Sequence, residues 1–259
     1  MQNILGIDVS KDKHDVMLIK GEKKYYLEIK NDSKGFGSLT SWLNRLHVTR
    51  VHACMEATGQ YGEALAEYLY DLGHLVSVTN PARIKRYGQS KLHRNKNDKA
   101  DAKLIAEFCL KEKPGPWEPL SPEIKHLRAL IRRLEALKTN SRQEKNRKGS
   151  GEKDPWVIED LNNHIEYLEE RIKATEKEIE NLIKQSSELK PQYDLLISIP
   201  GIGPFLASTL LGEIGDFLAF ENAPQLAAYI GLTPRNYRSG SSVLKKSQIT
   251  KEGRVELRR

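Results

Sequence analysis

Residues 95–106 read NKNDKADAKLIA, and two carboxylates, Asp98 and Asp101, stand three apart in an otherwise basic neighbourhood. On a helix that spacing places both on one face, where like charges repel by roughly 0.2–0.5 kcal/mol unless a cation lies between them. A divalent metal would be such a cation. A plainer account serves as well: Asn97 or Asp98 caps a helix running through Leu104, Ile105 and Phe108, and acids in its first turn are favoured by the helix dipole. Two further acids join the first reading through their places in the chain. Asp8 ends the strand-like ILGIDV, and Glu56 immediately follows VHACM. With those strands adjacent in a sheet, the two carboxylates emerge at one edge, and a helix packed nearby brings Asp98 and Asp101. Oxygen-only ligands of this kind suit Mg²⁺ or Mn²⁺. Two such ions about 4 Å apart stabilise the attacking and leaving oxygens of a phosphodiester. By residue type alone Asp12, Asp15 and Glu63 are equal candidates, and only placement favours the chosen four.

The segment RNYRSGSSVLKK holds a second candidate chemistry, with Ser239, Ser241 and Ser242 in a glycine-bearing loop beside Arg238, Lys245 and Lys246. A serine hydroxyl is a weak nucleophile and needs a base or a metal to activate it. The cations could hold a scissile phosphate and stabilise its developing charge. From the residues alone, a flexible phosphate-binding turn is the competing reading.

The elements that must position these groups are legible in the apolar pattern. ILGIDV, HDVMLIK and KYYLEIK are joined by SKDK and GEK and predict a three-stranded meander. A helix follows over about 34–46, then the strand VHACM, then a helix with Tyr61, Leu65, Tyr68, Leu69 and Leu72 on one face. A fifth strand, HLVSVT, stops at Asn80-Pro81. This order predicts a mixed sheet with helices on its faces, an α/β unit over residues 1–113. Beyond Pro114-Gly115-Pro116 the pattern turns helical. Leu127, Leu130, Ile131, Leu134 and Leu137 mark one long helix, interrupted by the polar tract NSRQEKNRKGSGEKDP. Ile158, Leu161, Ile165, Leu168, Ile172, Ile179 and Leu182 then keep a heptad spacing with Thr175 as the polar seam position, predicting a coiled coil within 114–190. Pairing with the preceding helix and pairing with another subunit both satisfy that pattern. The last segment, 191–259, contains LLISIPGIGPFLASTLLGEIG: two apolar helices about Pro200-Gly201-Ile202-Gly203. Such a turn exposes backbone N–H groups to a phosphate, as in a helix-hairpin-helix, with Gly201 and Gly203 as the contacts. A plain helical hairpin whose glycines allow close packing is the alternative.

Composition limits the partners. The 259 residues carry 42 Lys and Arg against 35 Asp and Glu, a net charge of +7. The excess gathers in two blocks, one with Arg83, Lys85, Arg86, Lys91 and Arg94, the other with Arg235, Arg238, Lys245 and Lys246. Two basic blocks point to a polyanion, since each phosphate neutralised releases counterions; a solubilising surface is the plainer alternative. No apolar run reaches the roughly 18 residues of a membrane span. The start lacks the features of a signal peptide, so a cytoplasmic protein is expected. Cys54 and Cys109 sit in apolar contexts without metal-ligand spacing and are expected to be buried free thiols.

Taken in order, GIDVSKDKHDV, MEATGQYGEALAEYLYDLGH, VTNPARIKRYGQS, NKNDKADAKLIAEF, SIPGIG and AYIGLTPRNYRSGSSVLKKSQITKEG resemble the insertion-sequence-110 family of DEDD transposases, related to the Piv invertase. The resemblance covers nearly the whole chain. It implies a RuvC-like, RNase H-type domain, a coiled coil and a mainly α-helical C-terminal transposase domain, in a bacterial, nucleoid-associated protein. Its DEDD positions match Asp8, Glu56, Asp98 and Asp101, holding Mg²⁺ or Mn²⁺, and its catalytic serine matches Ser239. It further implies a recombinase that cuts and rejoins DNA through a serine–DNA intermediate, guided by a bridge RNA. The working form would be a homodimer or homotetramer in which Ser239 meets the acids of another subunit. The family continues with further helices beyond the motif that ends at Leu257-Arg258-Arg259, so a shortened serine domain is expected. Two other functions fit parts of the pattern: a two-metal, structure-specific DNA nuclease resembling a Holliday-junction resolvase, and a non-catalytic nucleic-acid-binding scaffold.

Overall fold

The structure, a computed structural model, describes residues 3–57, 59–91, 97–215, 217, 220–235, 238–239, 243–244, 248–249 and 257. The chain divides into two compact units, Met1–Pro119 and Leu120–Arg259.

In the first unit the period-2 apolar runs become β1 (Asn3–Val9), β2 (Lys13–Lys20) and β3 (Lys23–Lys30). Next come α1 (Ser33–Arg45), β4 (Val51–Glu56), α2 (Glu63–Asp71), β5 (Leu75–Thr79), α3 (Pro81–Ser90) and α4 (Asp98–Glu112). The sheet order is β3-β2-β1-β4-β5. The meander pairs antiparallel, while β1–β4 and β4–β5 are parallel. Alternation sends Leu5, Ile7, Val16, Leu18, Ala53 and Met55 to one face, against α1 and α2. Ile4, Met17, Ile19 and Cys54 go to the other, under Ile84 of α3 and Ile105 and Phe108 of α4. Both cysteines are buried and free. The α2 region departs from expectation: Leu65 and Leu69 are buried, whereas Tyr61 and Leu72 fall outside the helix and are exposed.

One contact fixes α4 on the sheet. A Cβ on Gly6 would lie 2.3 Å from the Ala106 nitrogen and 2.4 Å from the Ala102 carbonyl oxygen. Only glycine lets the helix backbone come this close to β1, and the small Ala102 and Ala106 complete the contact.

The second unit opens with α5 (Pro122–Gly149) and α6 (Pro155–Gln185). They run antiparallel along each other, as Lys138–Glu176 at 2.8 Å and Lys145–Glu169 at 2.7 Å show. Within this chain the heptad-patterned helix thus lies along the preceding helix. The polar tract expected to interrupt α5 is helical up to Gly149. Its Arg, Gln, Glu and Lys residues are good helix formers, and Ser141 and Glu144 are buried. The turn shrinks to residues 150–154, with Gly151 at φ 96° and Asp154 capping α6 through the Val157 N–H. Then follow α7 (Leu189–Ile197), α8 (Pro204–Ile214) and α9 (Ala223–Ile230). Ile124, Leu127, Ile131, Ile179, Ile183, Leu189 and Leu211 join α5, α6, α7 and α8 in one core. Buried Glu213 takes a two-pronged pair from Arg132, Nε at 2.9 Å and Nη2 at 3.1 Å. Among the described residues two short ladders follow: β6 (Pro234–Arg235) with β9 (Gln248–Ile249), and β7 (Arg238–Ser239) with β8 (Val243–Leu244). Among the described residues no helix is long and apolar enough to cross a membrane.

Candidate active site

Strand register builds the site. Asp8 of β1 pairs with Asp15 of β2, and Asp15 pairs with Glu28 of β3. On the other side the β1–β4 register reaches Ile7↔Met55, so the next step sets Asp8 level with Glu56. Glu56 in turn pairs with Thr79. Glu28, Asp15, Asp8 and Glu56 thus stand in one row across four neighbouring strands, which lie about 4.8 Å apart. Alternation turns the row to the face that α4 covers.

α4 brings the remaining acids. Asn97 caps it, its side-chain oxygen accepting from the Ala100 N–H at 2.8 Å, and the first turn carries Asp98 and Asp101. The helix is thus capped as the plainer reading expects, and Asp101 and Asp98 lie near enough to Asp8 to act on its carboxyl. Burial, then Asp101, Glu56, Asp98 and Asp15, in that order, push the Asp8 carboxyl up to about 6. Glu56 is also raised, by burial and then by Asp101. Asp8 and Glu56 are both pushed up by the same neighbour, Asp101, so these three carboxylates share one electrostatic environment. Their donor set is oxygen only and strongly negative, which fits a hard divalent cation and suits neither a thiolate nor an imidazole metal site. Among the described residues no three His, Cys, Asp or Glu side chains converge as a finished metal-holding set.

Sequence reasoning did not single out the other end of the row. The Lys13 ammonium lies 2.7 Å from Glu28 Oε2, 3.3 Å from Asp98 Oδ2 and 3.4 Å from Asp15 Oδ2. Its affinity for its proton is raised above the ordinary lysine range, first by the hydrogen bond to Glu28. The Tyr26 hydroxyl donates to buried Asp15. A signal was available: Lys13, Asp15 and Glu28 are charged residues inside strand patterns, at positions whose parity matches Asp8 across the meander.

α3 begins directly after β5, at the sheet edge that carries Asp8 and Glu56. Its Arg83, Lys85 and Arg86 are exposed, as is Lys91 just after it. Arg83 lies 5.6 Å over the Phe108 ring and Lys91 5.8 Å from the Tyr87 ring. Arg94 lies outside the described residues. In the second unit, Gly201 (φ 93°) and Gly203 form the turn between α7 and α8, and Gly203 leads directly into α8. Arg235 belongs to β6, and Arg238 and Ser239 to β7. Ser239 pairs with Val243 across residues 240–242, which fall outside the described residues, as do Lys245 and Lys246.

Comparison with known proteins gives two family matches. The DEDD IS110 transposase model matches residues 5–150, and that of the transposase IS116/IS110/IS902 family matches residues 193–259. The pilin gene-inverting protein of Moraxella bovis is 35% identical over 256 residues, 98% of this chain and 79% of that protein. Its Moraxella lacunata counterpart is similar to the same extent. The transposase for insertion sequence element IS1328 of Yersinia enterocolitica is 26% identical over 75% of this chain and 64% of its own length. Among solved structures, T. thermophilus RuvC in complex with Holliday junction substrate is 14% identical, with a TM-score of 0.34 over 45% of this chain and 99% of that chain.

Proposed function

Given that this chain belongs to the IS110 family of transposases, and is thus a DNA transposase or recombinase related to the pilin gene inverters, we propose that it cuts and rejoins DNA strands through a covalent serine intermediate. Two observations support this reading: the transposase family match over residues 193–259, which include Ser239, and the strand register that sets Asp8 level with Glu56 on the face covered by α4, whose first turn carries Asp98 and Asp101. These four side chains would hold Mg²⁺ or Mn²⁺. When bound, the metal would offset the negative charge that builds up on phosphate oxygens during transfer.

The residues of the chain divide the work. By themselves the four carboxylates repel a phosphodiester; their part would be to hold the divalent cation that offsets this repulsion and draws the reacting phosphate in. Arg83, Lys85, Arg86 and Lys91 hold the DNA backbone beside it, as phosphate contacts that position without reading sequence. The Gly201–Gly203 turn at the start of α8 is a second backbone contact, and Arg235 and Arg238 flank the nucleophile. Ser239 Oγ gives up its proton and attacks phosphorus; an Oγ–P ester forms as one P–O bond of the strand breaks, and the departing strand oxygen takes up one proton, so none is gained or lost overall. Attack by a strand hydroxyl on that ester reverses the step, so rejoining needs no external energy source.

In this reading Ser239 works with the carboxylates of a second copy, in a homodimer or homotetramer. A structured guide RNA supplies sequence choice, and the basic segments are its electrostatic counterpart. The domain plan is a RuvC-like unit over 1–113, a coiled-coil region over 114–190 and a transposase domain over 191–259. The test is direct: purified protein with Mg²⁺ and its nucleic-acid substrate gives protein–DNA adducts stable in a denaturing gel, and Ser239→Ala abolishes them. Adducts at wild-type level in Ser239→Ala would defeat the serine assignment. Strand cleavage without any adduct in the unaltered protein would put water in place of the serine.

A further inference from the structure

The acidic row has a cation of its own at one end. Lys13 sits two residues before Asp15 on β2, on the same face, and its ammonium reaches three carboxylates from three elements. An ammonium has three donors and no acceptor; it donates one hydrogen bond to Glu28 and lies in ion-pair range of Asp98 and Asp15. Each contact does something different. Glu28 and Asp15 are neighbours in register and would otherwise face each other as bare charges; like charges directly opposite are destabilising. Asp15 is buried and also accepts from Tyr26, so it has little water to lean on. Asp98 is largely exposed at the start of α4, where water alone would leave its rotamer free.

We propose that Lys13 is a positioning residue, a built-in monovalent cation that closes the β3 end of the acidic row, tethers Asp98 and confines divalent ions to the end formed by Asp8, Glu56 and Asp101. This rests on the metal reading of the four acids. The tether uses Asp98 Oδ2 and leaves the second carboxylate oxygen for an ion. Without Lys13, Asp15, Glu28 and Asp98 form a second oxygen-rich, uncompensated set, which attracts a divalent ion of its own and draws Asp98 away from Asp101.

The test is a titration of chelator-stripped, full-length protein with Mn²⁺, in which free ion is read by electron paramagnetic resonance and folding by circular dichroism. Lys13→Gln is expected to bind one more Mn²⁺ per chain than the unaltered protein. Lys13→Arg, which keeps the charge, is expected to keep the original count, and Lys13→Gln combined with Glu28→Gln to return to it. Lys13→Ala is titrated alongside, so the comparison does not depend on a single replacement. A folded Lys13→Gln or Lys13→Ala chain with the original count and affinity overturns the proposal. The underlying reading has its own control in Asp8→Asn. If that change leaves Mn²⁺ binding by the unaltered background untouched, the four-acid assignment fails, while a difference between Lys13→Gln and the original chain still reports on Lys13.

Discussion

Substituting Gly6 tests whether α4 owes its place, and the acids theirs, to one missing side chain. In Gly6→Ala the new methyl would stand 2.3 Å from the Ala106 nitrogen, 2.4 Å from the Ala102 oxygen and 2.7 Å from the Ala106 Cα. All three are backbone atoms of α4, so no side chain can rotate away. Carbon contacts settle near 3.5–4.0 Å, and relief requires the helix to retreat from β1 by roughly 1 Å. Overpacking of this kind costs about 1–3 kcal/mol. The same retreat moves the first turn of α4, since Asp101 directly precedes Ala102. A misplacement of about 1 Å can cost on the order of 100-fold in a positioned reaction. The assay pairs urea denaturation with Mn²⁺ titration and Mn²⁺-dependent adduct formation. The variant should stay folded with a lowered midpoint, and adduct formation should fall far more than stability alone accounts for. Gly37→Ala is the control: a Cβ there meets nothing within 4 Å in the interior of α1, and the change should stabilise by up to about 1 kcal/mol. Wild-type stability together with wild-type Mn²⁺ affinity in Gly6→Ala would refute the reasoning.

Two more outcomes follow from buried charge. Glu213 is fully buried and receives two hydrogen bonds from Arg132; Glu213→Ala strands part of that guanidinium and should cost about 3 kcal/mol, the low end for a broken buried pair because Arg132 is about a third exposed. Urea midpoints check this, and a change below about 1 kcal/mol would show that the pair is dispensable. In metal-free protein, Asp8 is held at about 6 against an ordinary 3.8, so the native state keeps a proton that the unfolded chain has lost. The contribution of this group is therefore most favourable below about pH 4, declines as pH rises to about 6 and is flat above that. Two units at about 1.4 kcal/mol each bound the effect, and partial exposure of Asp8 reduces it to roughly 1 kcal/mol. Denaturation of the unaltered protein and Asp8→Asn at about pH 4.5 and 7.5, in chelator, should show the unaltered protein losing stability relative to the variant at the higher pH. Parallel behaviour of the two would remove Asp8 as the cause.

Local order was written in local sequence. Alternation in ILGIDV, HDVMLIK and KYYLEIK specifies strands because side chains on a strand alternate between faces, and Asn97 before DKADAKL specifies a helix start because its oxygen satisfies the Ala100 N–H. Motif order placed the chain in its family and pointed to Asp8, Glu56, Asp98 and Asp101 as a group. What the sequence could not rank were charged residues of equal local merit: Asp12, Asp15 and Glu63 looked alike until register put Asp15 beside Asp8 and inside the fold. Nor could periodicity choose a partner for α6, since a heptad stripe is complementary to any similar stripe, and it was packing within the chain that paired it with α5. The closeness of α4 to β1 depends on Gly6, Ala102 and Ala106 meeting across about a hundred residues of chain, and the grip of Lys13 on Glu28 and Asp98 joins three elements. Contacts of that range are set by which strands become neighbours and in what register, and so the extension of the row to Asp15 and Glu28, its cation and the close approach of its covering helix belong to the tertiary structure.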